Sequence, residues 1–290
     1  MKIVDRKTKK ERKMVYAKSV TFLYKTFLGR LVLKLISNRL ASKIVGCYMN
    51  SSLSKKRIKK TIDENHIDMT LFENKEYKSF NDFFTRHKKE LNFDMKKDHF
   101  VSPCDSKLIV MKLNKNSSFD IKGSKYNLKD IIKKDLTEEY ENGYALIFRL
   151  EVSDYHRYHF IDNGTRDDYQ YIKGKLHTVQ PIAYQNYRVF HKNAREYTTL
   201  HTENFGDIVE VEVGALMVGR ITNNNKIKSF HKGDEKGYFE FGGSTIILFV
   251  KDKEIIIDDD ILFNSILGKE TIVSCGEKIG IKYKKSFAQK

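Results

Sequence analysis

The sequence contains no tryptophan, two prolines and three cysteines among its 290 residues. Cys47, Cys104 and Cys275 are odd in number and widely spaced, which argues for reduced thiols and against a disulfide framework. No apolar run approaches the roughly 20 residues that a membrane-spanning helix needs. The basic start is not followed by a signal-peptide core with a small-residue cleavage site, so the expected product is cytosolic or attached to a membrane face from that side. No internal repeat or low-complexity linker divides the chain. Acidic charge is nearly missing from the first fifth. Residues 1–60 hold 18 Lys or Arg against Asp5 and Glu11 alone, while the remainder holds 36 residues of each sign. The whole formal excess of +16 therefore lies in residues 1–60.

What is present is a globular composition, 40% hydrophobic and 12% aromatic, long enough to bury a sizeable core. Within residues 20–45, Tyr24, Phe27, Leu28, Leu31, Val32 and Leu35 recur at helical spacing. Lys25, Arg30 and Lys34 lie at the edge of that arc or opposite it, and Leu23 and Leu33 break the pattern. An amphipathic helix with a basic face suits an anionic bilayer. Packing on the core and a nucleic-acid arm are the competing readings. Residues 61–92 read as helical, and Ser79 is placed to cap a short helix carrying Phe80, Phe83 and Phe84.

From about residue 99 the hydrophobic period changes from helical to alternating. Residues 107–111, 144–150, 169–172, 208–213 and 216–221 read as strands, separated by turn signals such as Asp162-Asn163-Gly164. The fold class expected is α+β: N-terminal amphipathic helices followed by a mainly antiparallel β domain. Residues 1–60 form the basic docking segment and residues 61–290 the remainder.

Three places can carry chemistry. In Gly242-Gly243-Ser244-Thr245, two glycines precede a serine that opens a buried strand. A serine hydroxyl so placed can attack the preceding carbonyl carbon, moving the acyl group from nitrogen to oxygen, if a base takes its proton. The plain alternative is a strand cap after a glycine turn. In Ser102-Pro103-Cys104-Asp105, a carboxylate follows a proline-fixed bend. In Asp154-Tyr155-His156-Arg157-Tyr158-His159, two imidazoles lie three residues apart at a strand end. Zinc binding by the two histidines, with His177 as a third ligand, stands against a relay in which an imidazole oriented by a carboxylate serves Ser244.

Phe80-Asn-Asp-Phe-Phe-Thr-Arg86, Ser102-Pro-Cys-Asp105, Asp154-Tyr-His-Arg-Tyr-His159, the run from Val213 to Arg220, the run from Lys232 to Thr245, and Gly276-Glu-Lys-Ile-Gly280 together resemble the successive motifs of phosphatidylserine decarboxylase proenzymes. The resemblance implies self-cleavage between Gly243 and Ser244, giving a β chain of 1–243 and an α chain of 244–290. Ser244 would become a covalent pyruvoyl cofactor, and phosphatidylserine would be converted to phosphatidylethanolamine and CO2 through a Schiff base. It implies that Asp105, His159 and Ser244 form the self-cleavage relay, that Asp154 supports the histidine, and that His156 handles the substrate carboxylate and proton transfer.

It also implies an anionic membrane surface as partner, chains that stay associated, a homodimer, a peripheral position on the cytoplasmic face of the cell membrane, and no metal or nucleic acid. Ser106, Phe160-Ile161 and Gly242 depart from the family's usual glycine, proline and leucine. A lipid-binding homologue that no longer matures, and a decarboxylase of another amino acid, are the alternative readings.

Overall fold

In the computed structural model of the chain, residues 1–121, 123–184, 187–216, 220–242 and 244–284 are described, the side chain of residue 39 excepted. The fold mixes α and β structure, and its sheets are mostly antiparallel.

Four apolar runs make the middle of the largest sheet: Gly206–Gly214, Ser244–Val250, Tyr144–Leu150 and Ser106–Lys112, in that spatial order. They are buried nearly throughout because both faces of the sheet are covered, with Lys107, Arg149, Glu210 and Glu212 as buried charges among the apolar residues. Ile109, Ile147, Val209, Val211, Val213, Ile247 and Phe249 enter one core. Leu108, Val110, Leu146, Phe148, Leu150, Ile246 and Leu248 enter the other. Ser244 thus begins a strand paired on both sides, opposite Gly214 and Leu150. The far edge of this sheet is N-terminal. Lys2–Asp5 pairs in parallel with Glu270–Val273 and turns back through Glu11–Lys13, so the first residues of the basic segment are sheet.

A smaller sheet of Ile221–Asn223, Glu235–Phe239 and Arg157–His159 lies over the second core, into which it sends Tyr158 and Phe239. Its register shifts between Glu235 and Gly237, leaving Lys236 as the extra residue of a β-bulge. The bulge buries Lys236 completely against Glu210 (3.3 Å) and Glu212 of the main sheet. Burial pushes both carboxyls up, and the Lys236 ammonium opposes that shift. Lys236→Met should therefore leave two buried carboxylates without a counter-charge and lower the unfolding free energy by about 3–5 kcal/mol. Urea titration measures this, and an unchanged midpoint would show that the triad does not fasten the sheets.

The basic segment differs from one continuous helix over residues 20–45. It forms α1 (Lys18–Lys25), α2 (Phe27–Ile36) and α3 (Arg39–Asn50). Thr26 and Asn38 interrupt it because each turns its side chain back to cap the next helix, accepting from Gly29 N at 3.0 Å and from Ala41 N at 2.9 Å. The first two helices meet at Gly29, where a Cβ would lie 2.0 Å from the Phe22 carbonyl oxygen. Tyr24 and Leu33 are the residues turned inward. Leu33, which breaks the sequence pattern, is a core residue. Phe27, Leu28, Leu31 and Leu35 are exposed.

The helical reading of residues 61–92 is also corrected. Here α4 (Lys56–Asn65) stops at His66, whose φ of 49° cannot continue a helix. The chain then makes a 3-10 turn at Met69–Leu71 and returns to helix only in α5 (Phe80–Phe84). Ser79 caps α5 as expected, accepting from Asp82 N at 3.1 Å. The expected strand over 216–221 reduces to Ile221–Asn223 in the smaller sheet. Leu216 lies in a turn, and 217–219 are outside the described residues.

Candidate active site

Ser244 is wholly buried, and its Oγ has no hydrogen-bond partner among the described residues. Gly242, two residues earlier, has φ 139°, a backbone state that disfavours any side chain. Gly243, the other side of the expected cleavage bond, lies outside the described residues. The turn before Ser244 is held from the Phe80–Arg86 motif. Asn81 Oδ1 accepts from the Phe241 N–H at 2.9 Å, and Asn81 Nδ2 donates to Asn50 of α3 at 3.0 Å. Phe241 packs edge-on against Phe80 and Phe84, with centroids 5.1 and 5.5 Å apart. α3 and the Ser244 turn are therefore joined through α5.

His156 occupies the same aromatic cluster, its ring 3.8 Å from that of Phe84 by centroid. It is fully buried, and its Nδ1 lies 2.9 Å from the Asp154 carbonyl oxygen. A carbonyl only accepts, so the proton sits on Nδ1 and the lone pair on Nε2. That Nε2 is buried and has no partner among the described residues. Burial, followed by the charge of Arg86, drives the imidazole well below its ordinary pKa. His156 is consequently neutral at physiological pH.

Arg86 is itself buried, donates to the Phe83 and Ser153 carbonyls at 3.3 and 3.0 Å, and lies over the Phe72 and Phe83 rings. It braces the loop that presents His156. Desolvation lowers its guanidinium to about 10, leaving it charged at neutral pH.

Asp105 and His159 meet at a third residue. Asp105 Oδ1 accepts from the Cys275 N–H at 2.8 Å, and its Oδ2 lies 2.6 Å from Lys88 Nζ. His159 Nδ1 is 3.3 Å from Cys275 Sγ. No hydrogen bond joins Asp105 directly to His159 among the described residues. Burial, then Arg157 and Lys88, bring His159 down to about 4, with Asp105 and Asp234 opposing.

Asp154 differs from its expected place beside that histidine. Its carboxylate is held by Lys107 at 2.6 and 2.7 Å and by the Glu151 N–H at 2.7 Å. Its contact with an imidazole runs through its main-chain oxygen, to His156. The structure thus gathers Asp105 with His159, and His156 with the Ser244 turn through Phe84 and Phe241. Neither imidazole hydrogen-bonds Ser244 Oγ in this state.

Asn81, Arg86, Lys88, Lys107 and Cys275 were not singled out by sequence reasoning. Asn81 and Arg86 do lie inside a quoted motif, and Cys275 immediately precedes another. The remaining two lysines carried no signal among so many.

The arrangement offers a buried hydroxyl and a buried imidazole nitrogen, both without partners among the described residues, beside a glycine turn. Comparison with known proteins agrees with that chemistry. The family model described as phosphatidylserine decarboxylase matches residues 80–281. The chain is 51% identical over 263 residues to phosphatidylserine decarboxylase proenzyme 2 of Clostridium acetobutylicum, covering 89% of this chain and 90% of that one. It is 46% identical over 277 residues to a phosphatidylserine decarboxylase proenzyme of Clostridium botulinum, covering 92% and 94%. With the proenzyme of Clostridium perfringens the identity is 42% over 293 residues, covering 97% and 100%. The chain belongs to the phosphatidylserine decarboxylase family, lyases of phospholipid biosynthesis made as proenzymes.

Proposed function

We propose that this chain cuts itself between Gly243 and Ser244, converts Ser244 to a pyruvoyl group, and uses that group to turn phosphatidylserine into phosphatidylethanolamine and CO2. The observation that carries this is the Ser244 hydroxyl, wholly buried and without a partner among the described residues, at the head of a strand two residues after a glycine at φ 139°. A buried hydroxyl without a partner costs about 1–3 kcal/mol, so its retention calls for a use.

In the self-cleavage, Ser244 Oγ attacks the Gly243 carbonyl carbon while His159 takes its proton. The peptide nitrogen leaves, and an ester joins the two residues. Loss of the Ser244 Cα proton then expels the Gly243 carboxylate and leaves a dehydroalanine. Water replaces its nitrogen as ammonia is released, leaving a ketone at the new terminus. The strand Ser244–Val250 remains hydrogen-bonded on both sides to Gly206–Gly214 and Tyr144–Leu150, which keeps the two chains together after the cut.

The residues present suit such a group: aromatic Phe84 and Phe241 beside the turn exclude water, and neutral His156 aims no charge at the site. When formed, the pyruvoyl group supplies an electrophile for the lipid's serine amine and a sink for the electrons released with CO2. His156, with Nδ1–H fixed on the Asp154 carbonyl, would take on Nε2 the proton that the lipid's serine ammonium gives up and deliver it to the substrate Cα after the carboxylate leaves as CO2. The exposure of Phe27, Leu28, Leu31 and Leu35 on α2, with Arg30 and Lys34 beside them and Lys43 on α3, supports docking of α2 on the anionic bilayer that holds the substrate.

Intact mass under denaturing conditions tests the reading. Two chains dividing before residue 244, the small one beginning with a ketone, are expected; a single chain would overturn it. The membrane face is tested by flotation with phosphatidylserine vesicles. Leu28→Asp with Leu35→Asp should reduce binding by about tenfold or more, since burying each leucine in lipid is worth about 1.5–3 kcal/mol. Unchanged flotation would remove α2 from the interface.

A further inference from the structure

We propose that Cys275 is a positioning residue for His159, bridging it to Asp105 and fixing which ring nitrogen is free to act as the base. The inference rests on the assignment of His159 to the self-cleavage step.

Cys275 sits in a turn that leaves it little freedom. Gly276 has φ 77°, and a Cβ there would lie 2.7 Å from the Phe93 ring. The turn is closed by Glu277 N donating to the Ser274 carbonyl at 3.0 Å and Ser274 N donating to Glu277 Oε2 at 2.9 Å. From this turn Cys275 uses both of its polar ends. Its N–H donates to Asp105 Oδ1 at 2.8 Å, and its Sγ lies 3.4 Å from the Pro103 carbonyl oxygen and 3.3 Å from His159 Nδ1.

The direction of these contacts is forced by the carbonyl. Pro103 O can only accept, so the thiol hydrogen points at it and the sulfur's lone pairs face His159. Nδ1 must then carry a proton, and the lone pair lies on Nε2, the nitrogen opposite the thiol. Cys275 is buried, and burial first, then the Asp105 charge, pushes its thiol well up, so the pair is neutral thiol and neutral imidazole. The groups whose charge acts on the His159 ring are Arg157, Lys88, Asp105 and Asp234. Lys88 occupies the Asp105 oxygen that Cys275 does not, at 2.6 Å. Asp105 therefore orients His159 at one remove, through a residue on the far side of the cleavage site. The order Asp105, Cys275, His159 in space spans both future chains, because Cys275 lies after Ser244 in sequence.

The test is the tautomer and the rate together. In the uncleaved Ser244→Ala chain, nitrogen-15 shifts of His159 should show Nδ1–H, and adding Cys275→Ala should give a mixture. In the Ser244 chain, Cys275→Ala should slow self-cleavage by about tenfold at neutral pH, the worth of one tautomer-fixing hydrogen bond. Cys275→Ser, which keeps a donor and acceptor at this position, should restore most of that rate. The wild-type rate should fall only as pH drops through about 4, where His159 takes up its second proton. Thermal unfolding of each variant separates misfolding from loss of position.

An Nε2–H tautomer in the Ser244→Ala chain, or undiminished cleavage by Cys275→Ala, would overturn the inference. So would equal slowing by Cys275→Ala and a well-folded Cys275→Ser. His159→Ala distinguishes the two levels: if it cleaves normally, the assignment of His159 fails; if it does not cleave while Cys275→Ala does so at full rate, only the bridging role fails.

Discussion

Ser244→Ala is expected to yield a single uncut chain of 290 residues with no decarboxylase activity, the largest effect that any one substitution should have on this protein. The substitution removes one oxygen atom that is already buried and has no partner among the described residues. Folding therefore has nothing to lose, and deleting an unsatisfied buried hydroxyl is neutral or slightly stabilising. Chemistry loses everything, because neither the acyl shift nor the later ketone can form without that oxygen. Denaturing mass and product assay check both halves. An uncut but normally stable chain would separate the chemical role of Ser244 from its packing role. Product from that chain would sink the pyruvoyl mechanism.

His156→Ala should cleave normally yet decarboxylate about 100- to 10,000-fold more slowly, the usual contribution of a positioned proton-transfer group. The structure separates the two histidines by their partners. His159 is bound to the Cys275 thiol beside Asp105, whereas His156 is bound to a main-chain carbonyl within the aromatic cluster of Phe84 and Phe241. Alanine also leaves space against Phe84, so His156→Gln should accompany it as a variant closer in volume. Single-turnover decarboxylation and mass analysis give the two rates. If both fall together in both variants, the division of labour between the imidazoles is wrong. If only decarboxylation falls, His156 belongs to the substrate step. Its low pKa adds a sign to the pH response. A folded pKa below the unfolded value stabilises the protein above about 6.5, and that stability is lost as pH falls below it.

The link between α3 and the Ser244 turn also has a physical basis. Asn81 holds the Phe241 N–H with one end of its amide and Asn50 of α3 with the other. The end of α3 is thereby two hydrogen bonds from the residue that precedes the glycine pair. The short α5, readable in sequence only as a capped aromatic helix, is the connecting piece.

The family was legible before any fold was known, because its motifs are contiguous words in the sequence. Gly242-Gly243-Ser244 signals a turn into a strand, and the run after it announces that the strand is buried, since β-branched and aromatic residues with no polar face can satisfy only a sheet covered on both sides. Charge segregation into residues 1–60 was equally plain, being a matter of counting.

Other features required tertiary structure. The break of the first helix at Thr26 depends on Gly29 meeting the Phe22 carbonyl. The inward turn of Leu33 depends on which face the core happens to lie. The pairing of Asp154 with Lys107 in place of a histidine, the bulge that buries Lys236, and the thiol between Asp105 and His159 all join residues distant in sequence. Local patterns decide which backbone states a segment favours, so elements and turns follow from neighbours in sequence. Partners of buried polar groups are decided by whichever distant group satisfies them at the least desolvation cost, and only the packed fold selects that group.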